Sequence, residues 1–446
     1  MSLPLSGSRP QRIQSAGFSL VEVLVALTLG VLLVGGIFTL FTGINDTNKT
    51  QNGLARLQEN GRFALMRMET DMRMAGAQYC SNTTGASVQG TPIPVLPARA
   101  PMVYAKDLNL PDSILNSVNT AGVPTAASAA APYVLSPRWF LQGYSCTASS
   151  CTPALTAADT GIPNMGLTAG SRVPASDVLT VRYLRGSGWT IPLNSCSTPT
   201  GSTIVSGAVI RVAPQVGDDP FNMTGPGLAL VSDCVSPAIL PISAVNVGSN
   251  QLTVATDVLA GAPGHLCNGN ALRDARLFDF TNDFVTVSYY LVFRADDSPD
   301  ARPNSAAAQR LIPVLVRREN GVEQELVRGV DLLRFRYGVL HGNGTTRMLT
   351  AAEITTNSPI GCTVAPPATP MEPGCLWRSV RTIEPHLLVN SVDEVASIEP
   401  IGRTYRFFGT VVSSPAATAT LPSGLQVGNM NRREFVGYFS VRNSNL

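Results

Sequence analysis

The stretch Gly17–Leu24 reads GFSLVEVL and begins the apolar run that decides the fold of this 446-residue chain. From Phe18 to Ile44 the run contains a single charged residue, Glu22, and no proline. As a helix it is roughly 40 Å long, which is enough to cross a bilayer core of about 30 Å. A carboxylate within hydrocarbon costs several kcal/mol and usually marks function, so Glu22 is predicted to be a functional residue.

The residues that precede the run predict its orientation and its cleavage. Residues 1–17 include Arg9 and Arg12 and no acidic residue. Basic flanks stay in the cytoplasm, so the chain beyond Ile44 is predicted to be exported. A secretory signal peptide is one alternative, but its apolar core is shorter and its small-residue cleavage site follows the core. A plain signal anchor is the other, and the charge of Glu22 argues against it.

The helical pattern continues beyond the apolar run. Apolar residues recur at helical spacing on one face, with Gly61 filling a gap, at Leu54, Leu57, Leu65, Met68 and Met72. The other face is predicted to carry two i, i+4 charge pairs, Arg67–Asp71 and Glu69–Arg73. The two segments together predict one long helix, apolar all round in its first half and amphipathic in its second.

The residues Gly17 to Glu22 match a processing motif position by position. Gly17 stands before the cut, Phe18 becomes the new N-terminus and Glu22 is fifth in the mature chain. The chain therefore resembles type IV prepilins. The resemblance implies that prepilin peptidase cleaves between Gly17 and Phe18 and methylates the new amino group, and that Glu22 serves assembly.

Shorter segments are similar to PilW-type minor pilins. They are Asn60–Leu65, Asp71–Gly76, Leu315–Arg318, Gly329–Asp331, Phe335–Gly338 and Val441–Asn443. The apolar run also lacks the proline that many major pilins carry there, which fits a minor pilin or pseudopilin. The resemblance implies a non-enzymatic structural protein that acts in pilus assembly or initiation, at or near the tip. It implies other minor pilins, the major pilin and the inner-membrane assembly platform as partners.

The same resemblance predicts where the protein is found, and two alternatives stay open. The expected location is the bacterial inner membrane, crossed once, with a periplasmic C-terminal domain that later joins the pilus fibre at the cell surface. One alternative is a type II secretion pseudopilin, which the long exported domain disfavours. The other is a membrane-anchored periplasmic enzyme or carbohydrate-binding protein. The sequence lacks G-x-S-x-G, H-E-x-x-H and P-loop motifs, so no catalytic residue is predicted.

Cysteine usage agrees with export. All eight cysteines follow the apolar run, and an even number in an oxidising compartment indicates disulfides. Connectivity is open in general, but Cys146–Cys151 and Cys362–Cys375 each close a short loop and are the predicted pairs. No C-x-x-C spacing is present and the three histidines are scattered, so no metal site is predicted.

Charge excludes one further class of function. The chain has 32 basic and 30 acidic residues, and the two arginines of the leader are lost on cleavage. The mature protein is then neutral, which argues against nucleic-acid binding.

Two acidic clusters, Asp218–Asp219 and Asp296–Asp300, lack EF-hand spacing and are interpreted as solvated loops. No cofactor is predicted.

The β pattern begins at Asp177, and the clearest local signal is Asn320–Gly321 between two apolar runs, which predicts a hairpin. The predicted fold is α+β and type IV pilin-like: a long N-terminal helix, part membrane and part amphipathic, packed on an antiparallel sheet with a large loop-rich insertion. The predicted segments are a leader (1–17), a membrane and filament-core helix (18–44), its amphipathic continuation (45–76), and an exported domain (77–446) whose insertion is 81–174.

Overall fold

The computed structural model consists of one long N-terminal helix and a β-rich head formed by the chain after it. This confirms the predicted α+β fold. The structure describes residues 19–78, 101–106, 132–134, 139–155, 161–192, 195–197, 204–232, 237–262, 275–296, 311–340, 345–356, 375–392, 404–413 and 430–441.

The helices and strands are named here in chain order. The helices are α1 (Leu20–Met74) and α2 (Ala351–Thr355). The strands are β1 (Met102–Val103), β2 (Tyr133–Val134), β3 (Leu141–Cys146), β4 (Cys151–Thr152), β5 (Val178–Leu184), β6 (Trp189–Thr190), β7 (Cys196–Ser197), β8 (Val209–Arg211), β9 (Gly227–Ser232), β10 (Ala238–Asn246), β11 (Gln251–Val254), β12 (Arg276–Asp279), β13 (Phe284–Ala295), β14 (Leu311–Glu319), β15 (Val322–Arg328), β16 (Val330–Leu340), β17 (Thr346–Leu349), β18 (Val380–Asn390), β19 (Thr404–Phe407), β20 (Thr410–Ser413), β21 (Arg432–Val436) and β22 (Phe439–Ser440).

Helix α1 is continuous over 55 residues, or about 80 Å. It contains no proline, and it ends where Gly76 adopts a left-handed backbone conformation with φ +73°. The Gly76 N–H then donates to the carbonyl of Arg182 at 2.9 Å, which ties the end of the helix to β5.

The buried face of α1 lies close to the predicted stripe but not on it throughout. Leu57, Met68 and Met72 are buried as predicted. Leu54 is 40% exposed, and Gly53 is buried in its place. A Cβ added at Gly53 would lie 3.5 Å from the Cβ of Ser391, so the backbone of the helix approaches the head closely at this turn.

The first sheet has the order β15-β14-β13-β5-β3-β4 and covers the end of α1. Its central strand β13 reads FVTVSYYLVFRA and is buried from Phe284 to Phe293, because both of its faces are covered. One face belongs to the core shared with α1 and the other to a smaller cluster around Tyr290. Strands β14 and β15 form the predicted hairpin, with φ +45° at Asn320 and +88° at Gly321.

A second sheet, β17-β16-β18-β21, contributes residues to the same core. Strand β18 was not predicted from the sequence, although it pairs with β16 over nearly its whole length. Glycine is required at one contact of α1 with this sheet, since a Cβ on Gly61 would lie 2.6 Å from the ring of Phe435.

A third sheet, β6-β12-β9-β10-β11-β8-β7, is inserted in sequence between β5 and β13 and has its own apolar core. Strands β1 and β2 join it beside β10. An aromatic cluster that includes Trp139, Phe280 and Phe284 connects this lobe to the first sheet. The segment 81–174 was predicted to be a loop-rich insertion. In the structure it contributes strand β3 to the first sheet and the buried Trp139 to the aromatic cluster. The predicted division of the chain stays a proposal.

Candidate functional site: the N-terminal helix and its buried junction

The predicted processing residues Gly17 and Phe18 lie outside the described residues, which begin at Ser19. Glu22 lies in the first turn of α1, where the unpaired N–H groups at the helix start favour a negative charge. Glu22 lies on the apolar half of α1, and its side chain is exposed in the described part of the chain.

The apolar half of α1 is fully exposed along its length. Its most apolar 18-residue window has a mean hydropathy of 2.6 and none of it is buried. Among the described residues α1 is the one helix long and apolar enough to cross a membrane. Leucine, valine, isoleucine and phenylalanine side chains between 20 and 44 are 46–77% exposed, an apolar surface that needs a lipid or protein partner.

Threonine hydroxyls within this half are satisfied inside the helix. Thr28 donates to the carbonyl of Val25 at 2.9 Å, and Thr39 donates to that of Gly36 at 2.8 Å. An unpaired hydroxyl in hydrocarbon costs several kcal/mol, and these bonds to the preceding turn avoid that cost. These two threonines are thereby compatible with an apolar surrounding.

The amphipathic half of α1 is joined to the head by a buried cluster around Asp71, which is 1% exposed. Arg317 of β14 binds its carboxylate with two nitrogens, Nε to Oδ2 at 2.6 Å and Nη2 to Oδ1 at 3.0 Å. The hydroxyl of Tyr183 donates to Oδ1 at 2.8 Å, and that of Tyr289 donates to Oδ2. Arg317 also binds Glu319 at 2.5 Å. We call Asp71, Arg317, Tyr183 and Tyr289 the junction cluster.

The junction cluster corrects the predicted pairing of Arg67 with Asp71. Asp71 lies beside the buried Met72 and faces the head, so its partner comes from β14 and not from the preceding turn of the helix. The other predicted pair is present: Arg73 forms an i, i+4 salt bridge with Glu69 on the partly exposed side.

Electrostatics in the junction cluster favour the ionised carboxylate. Burial raises the pKa of Asp71, but hydrogen bonds from Arg317 and Tyr289 and the charge of Arg317 outweigh it, and the pKa lies below its ordinary value. Burial and the charge of Asp71 raise the pKa of Tyr183 to about 12, so this hydroxyl keeps the proton it donates. Asp71 and Arg317 thus form a buried ion pair, and the tyrosine hydroxyls donate hydrogen bonds to the carboxylate oxygens. A buried ion pair needs such additional hydrogen bonds to offset the cost of removing its charges from water.

A second buried network ties three strands of the second sheet together. Asp331, at the start of β16, accepts from Arg432 Nε at 2.7 Å and from Asn390 Nδ2 at 2.8 Å. Both charged residues are buried. The network joins β16, β18 and β21, and β18 and β21 also contact α1.

Two segments noted in the sequence for their resemblance meet at the junction cluster. Asp71 begins the segment Asp71–Gly76, and Arg317 belongs to Leu315–Arg318, 246 residues further on. Sequence reasoning missed their contact, and it also missed Tyr183 and Tyr289.

A signal for these residues was present in the strand periodicity. Tyr183, Tyr289 and Arg317 each occupy inward positions, in step with core residues two places away such as Val181, Val287 and Leu315. A charged or hydroxyl-bearing residue at an inward position of an apolar strand needs a buried partner.

The predicted disulfide residues divide between described and undescribed parts of the chain. Cys146 and Cys151 are joined by a disulfide across β3 and β4. Cys362 lies outside the described residues, and the Cys362–Cys375 pair stays a prediction. Cys196 is disulfide-bonded as well.

The acidic pair Asp218–Asp219 is structural and not a solvated loop. Asp218 accepts hydrogen bonds from the backbone and hydroxyl of Thr190 and binds Arg276 at 2.5 Å. Asp219 accepts from the backbone N–H of Ser187 at 2.6 Å. The two carboxylates therefore stabilise the loops around β6 by accepting hydrogen bonds from their backbone N–H groups. In the other cluster Asp296 is buried, and Asp297 and Asp300 lie outside the described residues.

A further acidic pair lies in the turn between β12 and β13. Asp279 accepts from the N–H groups of Thr281 and Asn282, and its own N–H donates to Asp283 at 3.0 Å. Burial and the charge of Asp279 raise the pKa of Asp283 to about 7. Groups of three or more ligating side chains that could hold a metal are not found among the described residues.

His386, one of the three scattered histidines, lies between two carboxylates. Its Nδ1 is 2.7 Å from Glu434 and its Nε2 is 2.7 Å from Glu384, and the ring packs edge-on against Phe408. This arrangement holds the β19–β20 hairpin against the second sheet. His265 and His341 lie outside the described residues.

A family model, the prokaryotic N-terminal methylation motif, matches residues 12–38. The match spans the predicted cleavage site and Glu22. It supports a type IV pilin-like protein. Such a motif points to structural pilins and pseudopilins, to processing by prepilin peptidase and to membrane anchoring through the N-terminal helix. Neither curated proteins nor solved structures gave a match to the chain.

Proposed function

We propose that this chain is a minor pilin of a type IV pilus that acts in pilus assembly or initiation and resides at or near the tip. One observation carries the proposal: an exposed apolar helix with a charge in its first turn continues without a break into a helix locked in a large head. A membrane anchor alone needs no such rigid continuation, whereas a subunit that packs its helix in a filament and projects its head does.

The proposed pathway starts in the inner membrane, with the head in the periplasm. Prepilin peptidase removes residues 1–17 and methylates the amino group of Phe18, and the subunit then joins other minor pilins and the major pilin through the assembly platform. The apolar half of α1 leaves the lipid and enters the filament core, where protein side chains cover the same exposed surface.

Glu22 is proposed to set the register of this docking. Phe18 and Glu22 are four residues apart, about 6 Å along the helix axis. The ammonium group of Phe18, from the same or a neighbouring subunit, can therefore lie against the carboxylate. In an apolar surrounding such a pair is strongly attractive, and either charge alone is heavily penalised.

The test is the processing of the full chain in cells that contain prepilin peptidase. Gly17→Leu is expected to leave uncut precursor in the inner membrane, because a small residue is needed before the cut. Gly30→Leu is the matched control: it makes the same substitution on the same helix, at a glycine whose added Cβ meets nothing within 4 Å. It should be cut normally.

Mass spectrometry of the mature N-terminus decides the outcome. Methylated phenylalanine at position 18 supports the proposal. A terminus after Ile44, or no cleavage of the wild-type chain, refutes it.

A further inference from the structure

The guanidinium of Arg172 lies against both sulfurs of the Cys146–Cys151 disulfide. Nη1 is 3.4 Å from the sulfur of Cys146, and Nη2 is 3.4 Å from that of Cys151. The remaining contact, from Nε, goes to the carbonyl of Pro163 at 3.3 Å. The backbone of Arg172 is fixed by hydrogen bonds with Asn164 and Gly166, so the side chain is held in place.

This guanidinium is buried without a carboxylate partner. Arg172 is 2% exposed, and in the described part of the chain no acidic oxygen lies within salt-bridge distance of it. The charge of Asp177 acts on Arg172, but this carboxylate forms its salt bridge with Arg334 at 2.9 Å and accepts the backbone N–H of Cys146 at 2.9 Å. Arg334 in turn donates to the carbonyl of Cys146 at 2.8 Å. Burial lowers the pKa of Arg172 to about 10, and the side chain still carries its charge at neutral pH. Buried cations are ordinarily paired with an anion, so this one lacks the partner that its surroundings call for.

The disulfide interacts weakly with the arginine cation, whereas a thiolate of the reduced cysteines would interact with it strongly. A disulfide is uncharged and its sulfur is a weak hydrogen-bond acceptor, whereas a thiolate is an anion that a neighbouring arginine stabilises. We propose that Cys146–Cys151 is a redox-active disulfide, reduced by dithiols, in which Arg172 stabilises the thiolate that reduction produces.

Access to the pair favours attack from one side. Cys146 is 1% exposed, whereas Cys151 is partly exposed and follows the exposed loop 147–150. A thiolate of the dithiol attacks the sulfur of Cys151, and the disulfide breaks so that Cys146 leaves as a thiolate against Nη1 of Arg172.

The second sulfur of the reductant then displaces Cys151. This step forms the cyclic disulfide of the reductant and releases Cys151 as a thiolate, which takes up a proton. The dithiol is oxidised by two electrons and gives up two protons, one to Cys151 and one to solvent, and the chain is reduced by two electrons. The covalent link between β3 and β4 is lost.

The experiment equilibrates the folded full chain, in detergent, with mixtures of reduced and oxidised dithiothreitol and then alkylates free thiols. Trypsin releases residues 139–172 from the wild type and residues 139–182 from Arg172→Met. Both peptides contain these two cysteines and none of the other six, so mass spectrometry reports this pair alone. Arg172→Met keeps the stem and removes the charge. We expect it to lower the equilibrium constant for reduction at least tenfold, which is about 30 mV. Arg172→Lys keeps the charge but cannot reach both sulfurs, and should fall between the two.

The matched control is Arg182→Met, which removes another fully buried guanidinium. Arg182 donates to the carbonyl of Trp139 and to the hydroxyl of Thr286. It should change the equilibrium less than twofold. The proposal is overturned if Arg172→Met shifts the equilibrium less than twofold, shifts it toward the reduced form, or is matched by Arg182→Met.

A second measurement needs no variant and decides the matter if Arg172→Met does not fold. In the reduced wild type, the alkylation rate of the buried Cys146 should change less than twofold as the pH falls from 8.5 to 6.5, because the thiolate persists beside Arg172. A rate that falls tenfold per pH unit over this range, as for an ordinary thiol with a pKa of about 8.5, overturns the proposal.

Discussion

Removal of the Asp71 carboxylate tests whether the junction cluster holds the helix to the head. In Asp71→Ala the guanidinium of Arg317 loses both of its bonds to Asp71, and the hydroxyls of Tyr183 and Tyr289 lose the carboxylate that they donate to. Tyr289 keeps a longer contact with the carbonyl of Arg67, at 3.3 Å. These groups are buried, so water cannot replace the carboxylate without opening the core.

The free-energy cost of Asp71→Ala depends on how deeply Arg317 is buried and on which partners Arg317 keeps. Removal of one partner of a buried ion pair costs about 3–5 kcal/mol, because the other charge is left uncompensated. Arg317 keeps its bond to Glu319, which is partly exposed, so the low end of about 3 kcal/mol is expected. Such a loss makes local opening at the end of α1 more than a hundredfold more frequent, since about 1.4 kcal/mol is a factor of ten.

Hydrogen exchange of the full chain in detergent, read on peptides that cover residues 65–76, measures this opening. The control is Glu69→Ala on the same helix, where the partner Arg73 is about one-third exposed and the loss should stay below about 1 kcal/mol. Arg317→Met combined with Asp71→Ala should cost clearly less than the sum of the two single changes. Equal exchange in Asp71→Ala and Glu69→Ala, or strict additivity with Arg317→Met, would refute the reasoning.

Three other outcomes are expected. Glu22→Ala should be cut and inserted normally but be lost from sheared pili, because the charge pair that sets its register is gone; wild-type amounts in the fibre would contradict this role. Asp283→Asn should raise the thermal stability relative to wild type by an amount that grows between pH 4 and 7 and then levels off. The reason is that the raised pKa keeps Asp283 protonated in the folded state up to about pH 7, while the unfolded carboxyl ionises near 3.8; a difference that does not vary with pH excludes this cause. Most of the eight cysteines should resist thiol labelling in unreduced, denatured protein, and labelling of more than half would count against export into an oxidising compartment.

Local patterns allowed much of the fold to be predicted. The long helix, the β pattern from Asp177 onward and the Asn320–Gly321 hairpin follow from composition and short-range spacing, and the structure has all three. Strand β18 escaped prediction, although its C-terminal half is continuously buried. Its N-terminal half contains the charged residues Arg381 and Glu384 and is followed by Pro385, which is an unusual residue within a strand.

The sequence by itself determined the features that depend on neighbours along the chain: the apolar run, the placement of Gly17, Phe18 and Glu22, and the amphipathic helix that follows. Helix periodicity and membrane length are properties of a single segment, so they can be read without knowing the rest. The tertiary structure alone decided which partner each buried charge has. Asp71 appeared to pair with Arg67 one turn away, but folding brings Arg317 to it from 246 residues further on. A buried carboxylate takes the partner that can share its dry surroundings, and only packing of the helix against the sheet fixes which one that is.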